Sequence, residues 1–89
     1  MNSFLTDQFL AHYHVLPEQV REQARQAYAL FIRDPHHPSL RIRRVHPTRP
    51  IFSARVGIDY RVLGIRDGND IFWYWIGSHS EYDRLLNQA

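Results

Sequence analysis

Asp67-Gly68 stands between two apolar runs, and that junction constrains the chain more than any other feature in it. Before it, Val62 to Ile65 is apolar apart from Gly64; after it, residues 71–76 read Ile-Phe-Trp-Tyr-Trp-Ile. β-Branched and aromatic residues suit a pleated, half-buried surface. An Asp-Gly pair between two such runs is a strong hairpin signal, because glycine takes a positive φ at little steric cost. Two adjacent antiparallel strands are therefore predicted. The second stops at Gly77, and Ser78-His79-Ser80-Glu81-Tyr82 follows at once. Ser80, with Asp83 three residues on and Leu85 and Leu86 beyond, reads as the N-cap of a closing helix. A histidine and a tyrosine thus sit where a strand gives way to a helix, at a sheet margin where polar groups can project into a groove.

The N-terminal half carries a different period. Asn2–Leu5 reads as a short strand, and Thr6 as the cap of a helix with Asp7 in its first turn and an apolar stripe of Phe9, Leu10, Tyr13 and Leu16. Leu16-Pro17 breaks that helix and Pro17 opens a second one. Val20, Ala24, Ala27, Tyr28 and Phe31 recur there at helical spacing. Asp34-Pro35 ends it, since a residue before proline avoids the helical region. His36 and His37 fall in the next turn; adjacent side chains point apart and no third ligand follows nearby, so a metal site is not expected. Residues 40–46 alternate as an edge-like strand, with Leu40, Ile42 and Arg44 on one side and Arg41, Arg43 and Val45 on the other. Ile51–Val56 is a further strand, and Gly57-Ile58-Asp59 turns it back into Tyr60 onward. If those strands pair, Arg55 and Arg61 point from one face toward one place.

These elements predict a single domain over residues 1–89, in which a helical hairpin is followed by several strands and a short closing helix. The absence of cysteine excludes a disulfide framework and thiolate chemistry, and agrees with a reducing compartment. No apolar run approaches the roughly 20 residues that span a bilayer, and the N-terminus has no signal-peptide stretch. A soluble, cytoplasmic protein with no membrane association is expected.

Charge is unevenly placed. Residues 41–66 hold seven arginines and one acid, a net +6, between flanks of −1 and −3. All eleven basic residues are arginine. Arginine presents a planar fork that clamps phosphate and stacks on bases. A basic segment of this density is the footprint of a polyanionic partner, either nucleic acid or an acidic protein segment.

Taken together, residues 16–31, the HPSL turn at 37–40, the RVGIDYR hairpin at 55–61 and the WIGSHSEYDRLL terminus at 75–86 resemble the RelE/ParE superfamily of toxins from bacterial type II toxin–antitoxin modules. The resemblance covers nearly the whole chain in order. It implies an α+β fold, with the helical hairpin packed on a twisted, mostly antiparallel sheet of four or five strands and a short C-terminal helix, and two possible activities. RelE-like members are endoribonucleases that cut mRNA in the ribosomal A site; ParE-like members poison DNA gyrase. A homologue without toxicity that only binds its antitoxin is a third possibility. A cognate antitoxin is the implied partner, together with ribosome and mRNA on the RelE-like branch, with no cofactor and no metal. DNA would be met only through the antitoxin.

Cleavage of this kind uses the ribose 2′-OH against the adjacent phosphate. It requires a base, a cation for the phosphorane charge and an acid for the 5′-oxygen. By resemblance Arg61 matches the phosphate-stabilising arginine of the central strand and Arg55 a basic position on the strand before. His79 and Tyr82 fall where the family places histidine, arginine or tyrosine. Arginine stays protonated, so His79, with an ordinary pKa near 7, is the leading acid/base candidate. Tyr82 is expected to orient the ribose, stack on a base or assist proton transfer, or else to pack in the core; Glu81 is a lesser candidate for base. Arg61 has a structural alternative as an ion-pair partner of Asp59 or Asp83, and His79 as a turn residue. Arg41, Arg43 and Arg44 are the candidate RNA-binding or antitoxin-docking residues. Some RelE-like enzymes use paired lysines where this chain has Ser53 and Arg55, and Ser53 supplies no charge.

Overall fold

The computed structural model describes residues 1–88. Its elements are β1 (Asn2–Leu5), α1 (Asp7–His14), α2 (Glu18–Arg33), a 3-10 turn (Pro38–Leu40), β2 (Arg43–Arg44), β3 (Ile51–Val56), β4 (Tyr60–Asp67), β5 (Asp70–Ser78) and α3 (His79–Gln88). One five-stranded sheet runs in the order β1-β5-β4-β3-β2. Every pairing is antiparallel except β1 with β5. The α+β architecture is the expected one. None of the described helices is long and apolar enough to cross a membrane.

The helical hairpin forms for local reasons. Thr6 Oγ1 accepts from the Phe9 amide at 3.2 Å and donates to the Trp73 carbonyl at 2.8 Å, so one hydroxyl both caps α1 and ties it to β5. Pro17 takes φ −55° at the head of α2, and Asp34 ends that helix. The apolar stripes of the two helices bury Phe9, Ala24 and Phe31 against Ala54, Val56, Val62, Trp73 and Ile76.

Trp73 and Ile76 face the same layer although they are three residues apart, which a regular strand forbids. The register explains it. Leu63 pairs with Trp75 and Gly64 with Trp73, leaving Tyr74 as an extra residue in β5. This bulge inverts the alternation between the two halves of the strand.

The bulge depends on a glycine. A Cβ at Gly64 would stand 2.6 Å from Trp73 Cε3, inside contact distance of a ring that also meets Phe31 edge-on at 5.4 Å. Gly64→Ala is expected to destabilise the fold by about 1–3 kcal/mol through overpacking. The midpoint of urea unfolding should fall with an unchanged m-value; an unshifted midpoint would show that the ring has room to move.

α3 covers the opposite face of the sheet. Ser53, in line with Arg55 and opposed to Leu63, points away from the hairpin layer, and the Tyr82 hydroxyl donates to its Oγ at 3.2 Å. Tyr82, Leu63 and Ser53 are all at most 4% exposed and form a second small core under α3.

The expected edge strand over residues 40–46 is shorter than its alternation predicts. Leu40 belongs to a 3-10 turn and is buried, Arg41 takes the left-handed φ of 47°, and only Arg43–Arg44 pairs with β3. Pro38 and the His37 cap set that turn: His37 Nδ1 accepts from the Ser39 amide at 3.2 Å. The turn consumes three residues that would otherwise extend the strand.

Candidate active site

The β3–β4 hairpin brings its two arginines face to face. Arg55 is directly opposite Arg61, and Arg61 is opposite Gly77 of β5. Backbone carbonyls hold both side chains: Arg55 Nε donates to Gly57 O at 3.0 Å, and Arg61 Nη1 to Ile58 O at 3.2 Å and Tyr60 O at 2.8 Å. Among the described residues neither has a carboxylate partner. Among the described residues the ion pairs are Arg25–Glu22 and His79–Asp83, so the seven arginines of residues 41–66 carry uncompensated charge. The expected alternative, an Arg61 pair with Asp59 or Asp83, does not form.

Burial, and then the positive charge of Arg55, pull the Arg61 pKa below the ordinary arginine value; Tyr82 and Asp83 oppose the shift and Arg41 adds to it. Arg61 stays protonated. A guanidinium that is partly desolvated and repelled by its neighbours is stabilised by any anion that lies between them.

His79 opens α3 beside this pair. Its amide donates to the Asp59 carbonyl at 2.6 Å, pinning the helix start to the β3–β4 turn. Its Nδ1 lies 3.2 Å from Asp83 Oδ2, one helical turn on, and the ring is 48% exposed. A carboxylate facing Nδ1 places the proton there and leaves the Nε2 lone pair open to solvent. Asp83 carries no signal as a site residue by itself; the i, i+4 spacing from His79 is the pattern that reveals it.

The helix cap is displaced from its expected position. Ser78, not Ser80, forms the capping box: Ser78 Oγ accepts from the Glu81 amide at 3.2 Å, and Glu81 Oε1 accepts from the Ser78 amide at 3.0 Å and hydroxyl at 2.9 Å. Serine followed three residues on by glutamate is the stronger box signature. These bonds lower the Glu81 pKa from its ordinary value, the backbone one most. Glu81, the lesser candidate for base, is therefore engaged in the cap and made less basic.

Tyr82, expected either to meet the substrate or to pack in the core, takes the second place: it is 3% exposed, with its hydroxyl on Ser53. It faces the sheet because it lies three residues past His79 on a helix whose buried side it forms. Among the expected RNA-binding arginines, Arg41 weighs on Arg61 electrostatically. Arg43 and Arg44 lie further off on the exposed edge strand β2, where Arg44 Nε donates to the Arg49 carbonyl at 3.3 Å. Arg41, Arg55, Arg61 and the His79–Asp83 pair thus converge at one end of the sheet, and Tyr82 lies beneath them.

The fold has close relatives among solved structures. The RelB–RelE antitoxin–toxin complex from Methanococcus jannaschii superposes with a TM-score of 0.72 at 17% identity, over 91% of this chain and 96% of that one. YafQ from Escherichia coli gives 0.71 at 10% identity, over 91% and 96%. The isolated E. coli RelE toxin gives 0.63 at 15% identity, over 98% and 96%. At such identities the likeness is one of fold. Among curated proteins no sequence matches this one significantly. The family model of the ParE-like toxin domain matches residues 18–84, from the start of α2 to the middle of α3 and across the whole arginine and histidine cluster. The chain belongs to this family of RelE/ParE-type toxin domains.

Proposed function

We propose that the protein is the toxin of a toxin–antitoxin module and that it acts as a ribosome-dependent mRNA endoribonuclease. The observation that carries this reading is the pairing of Arg61 and Arg55 without a carboxylate partner among the described residues, next to a histidine held through Nδ1 by Asp83. That is the equipment of phosphoryl transfer through a 2′-OH nucleophile. The arginines bind the scissile phosphate and stabilise the charge that develops on it. His79 Nε2 takes the 2′-OH proton as the oxygen attacks phosphorus, or returns a proton to the departing 5′-oxygen; Asp83, at Nδ1, orients the ring. The products are a 2′,3′-cyclic phosphate and a 5′-hydroxyl.

An antitoxin is the second partner proposed, in keeping with the fold's likeness to a RelB–RelE complex. Uncompensated arginines, together with Phe4, Leu5 and Leu85 at about two-fifths exposure, offer a surface that suits an acidic, amphipathic segment.

Primer extension on a reporter mRNA in a translating extract tests the reading. The wild-type protein should cut at A-site codons, and only with ribosomes. Arg61→Gln should lower the cleavage rate by about 10²–10³-fold, as the loss of one transition-state donor does elsewhere. Absence of cuts from a protein that still arrests growth would reject the nuclease and favour gyrase as target. Unaffected growth on induction without antitoxin would favour a non-toxic homologue.

A further inference from the structure

Two tryptophans occupy β5, and they differ in what they leave open. Trp73 is 3% exposed and donates its indole N–H to Ser3 Oγ at 3.1 Å. Trp75 is half-buried, and the bulge turns it to the α3 side, where its register partner is Leu63. Its indole N–H makes no hydrogen bond among the described residues, yet no buried side-chain nitrogen there lacks a partner. That N–H therefore reaches solvent.

The ring position is built, because it requires a glycine. A Cβ at Gly77 would stand 2.4 Å from Trp75 Cζ2 and 2.6 Å from Cη2, so the six-membered ring lies across the bare backbone of Gly77. Gly77 is the cross-strand partner of Arg61. Adjacent strands are about 4.8 Å apart, which sets the indole one strand from the phosphate-binding arginine on the same sheet face. The His12 ring borders it at 6.3 Å, tilted by 59°. Glu81 Oε1 lies 3.2 Å from that same Cβ position, beside the indole.

We infer that Trp75, with His12 at its edge, is a stacking slot for the nucleobase next to the scissile phosphate. Charge sorts the two halves of the nucleotide. The phosphate goes to Arg61 and Arg55, where positive charge is unopposed. The carboxylate of Glu81 keeps phosphate away from the indole, and an uncharged base meets no such barrier. An aromatic face beside a cationic groove is a general device for holding single-stranded RNA, and the free N–H adds a donor for a base edge. The inference rests on the RNA-cleaving reading and specifies how that substrate is held.

The test is titration of the full-length protein with a 2′-O-methyl RNA tetranucleotide, which cannot be cut, followed by tryptophan fluorescence and calorimetry. Wild-type fluorescence should be quenched. Quenching should vanish in Trp75→Phe, which keeps only the buried Trp73, while affinity holds within about threefold because phenylalanine still stacks. Trp75→Leu, folded by its thermal melt, should bind about 5- to 150-fold more weakly. If the leucine variant does not fold, quenching in Trp75→Phe decides alone. Persistent quenching in Trp75→Phe, unchanged affinity in folded Trp75→Leu, or no binding by the wild type overturns the slot. Cleavage in the translating extract is read separately. Cuts without stacking reject only the slot, and stacking without cuts rejects only the nuclease.

Discussion

His79→Ala is expected to slow mRNA cleavage by about 10²–10⁴-fold, the usual contribution of a positioned acid or base, while the protein remains folded. The two halves of this expectation come from different atoms. The contact that starts α3 is made by the His79 amide to the Asp59 carbonyl, and alanine keeps it. The side chain contributes the half-exposed pair with Asp83, and such pairs are worth about 0–1 kcal/mol, together with a tilted ring contact to Tyr82 at 6.0 Å. The chemistry, by contrast, has no substitute nearby. The arginines cannot accept a proton at neutral pH, Tyr82 is buried, and Glu81 is committed to the helix cap. Single-turnover cleavage on programmed ribosomes measures the loss. A rate within fivefold of wild type in a folded variant would remove His79 from the mechanism.

The largest effect on stability should come from Tyr82. Truncation to alanine empties the small core between α3 and the sheet and is expected to cost about 3–5 kcal/mol, a large share of the roughly 5–15 kcal/mol that holds a domain together. Tyr82→Phe removes only the hydroxyl. It leaves Ser53, which is 3% exposed, without its partner, and should cost about 1–3 kcal/mol. Cleavage by Tyr82→Phe should stay within a few-fold of wild type, because the hydroxyl faces the sheet and not the groove. Chemical denaturation and the translating extract give the two readouts. A stable Tyr82→Phe protein that has lost cleavage would mean that the tyrosine acts chemically, and that α3 lifts to let it do so.

The elements were legible where local chemistry dominates. Thr6, Pro17 and Asp34-Pro35 mark helix ends through their own side chains, and Asp67-Gly68 marks its hairpin; all lie where expected. The pairing of Arg55 with Arg61 followed from the shortness of the turn between them. What escaped the sequence depended on through-space competition. Both Ser78 and Ser80 can cap a helix, and the choice between them was made by Glu81 reaching back to Ser78. Residues 40–46 alternate like a strand, but Leu40 found a deeper place in the core than strand geometry would give it. For Tyr82 the sequence left substrate contact and core packing both open, and the packing of α3 on the sheet chose the second. Trp75 was indistinguishable from Trp73 by composition, since nothing in a run of apolar residues shows which one the sheet will bury.

The extra residue in β5 has a consequence for how this sheet can change over evolutionary time. β5 consists of two half-strands in opposite phase, joined at position 74. Odd-numbered positions serve the hairpin layer before the joint, and even-numbered ones after it. What position 74 contributes first is a count and only then a side chain. Losing Tyr74 would merge the two halves into one regular strand, with Trp73 still opposite Gly64 and Trp75 still opposite Leu63, and point substitutions at 74 likewise leave every other residue on its own side. Position 74 is therefore the one place in β5 where a residue can be gained or lost without turning the arginine end of the sheet over, and the two halves are free to diverge in sequence as separate units.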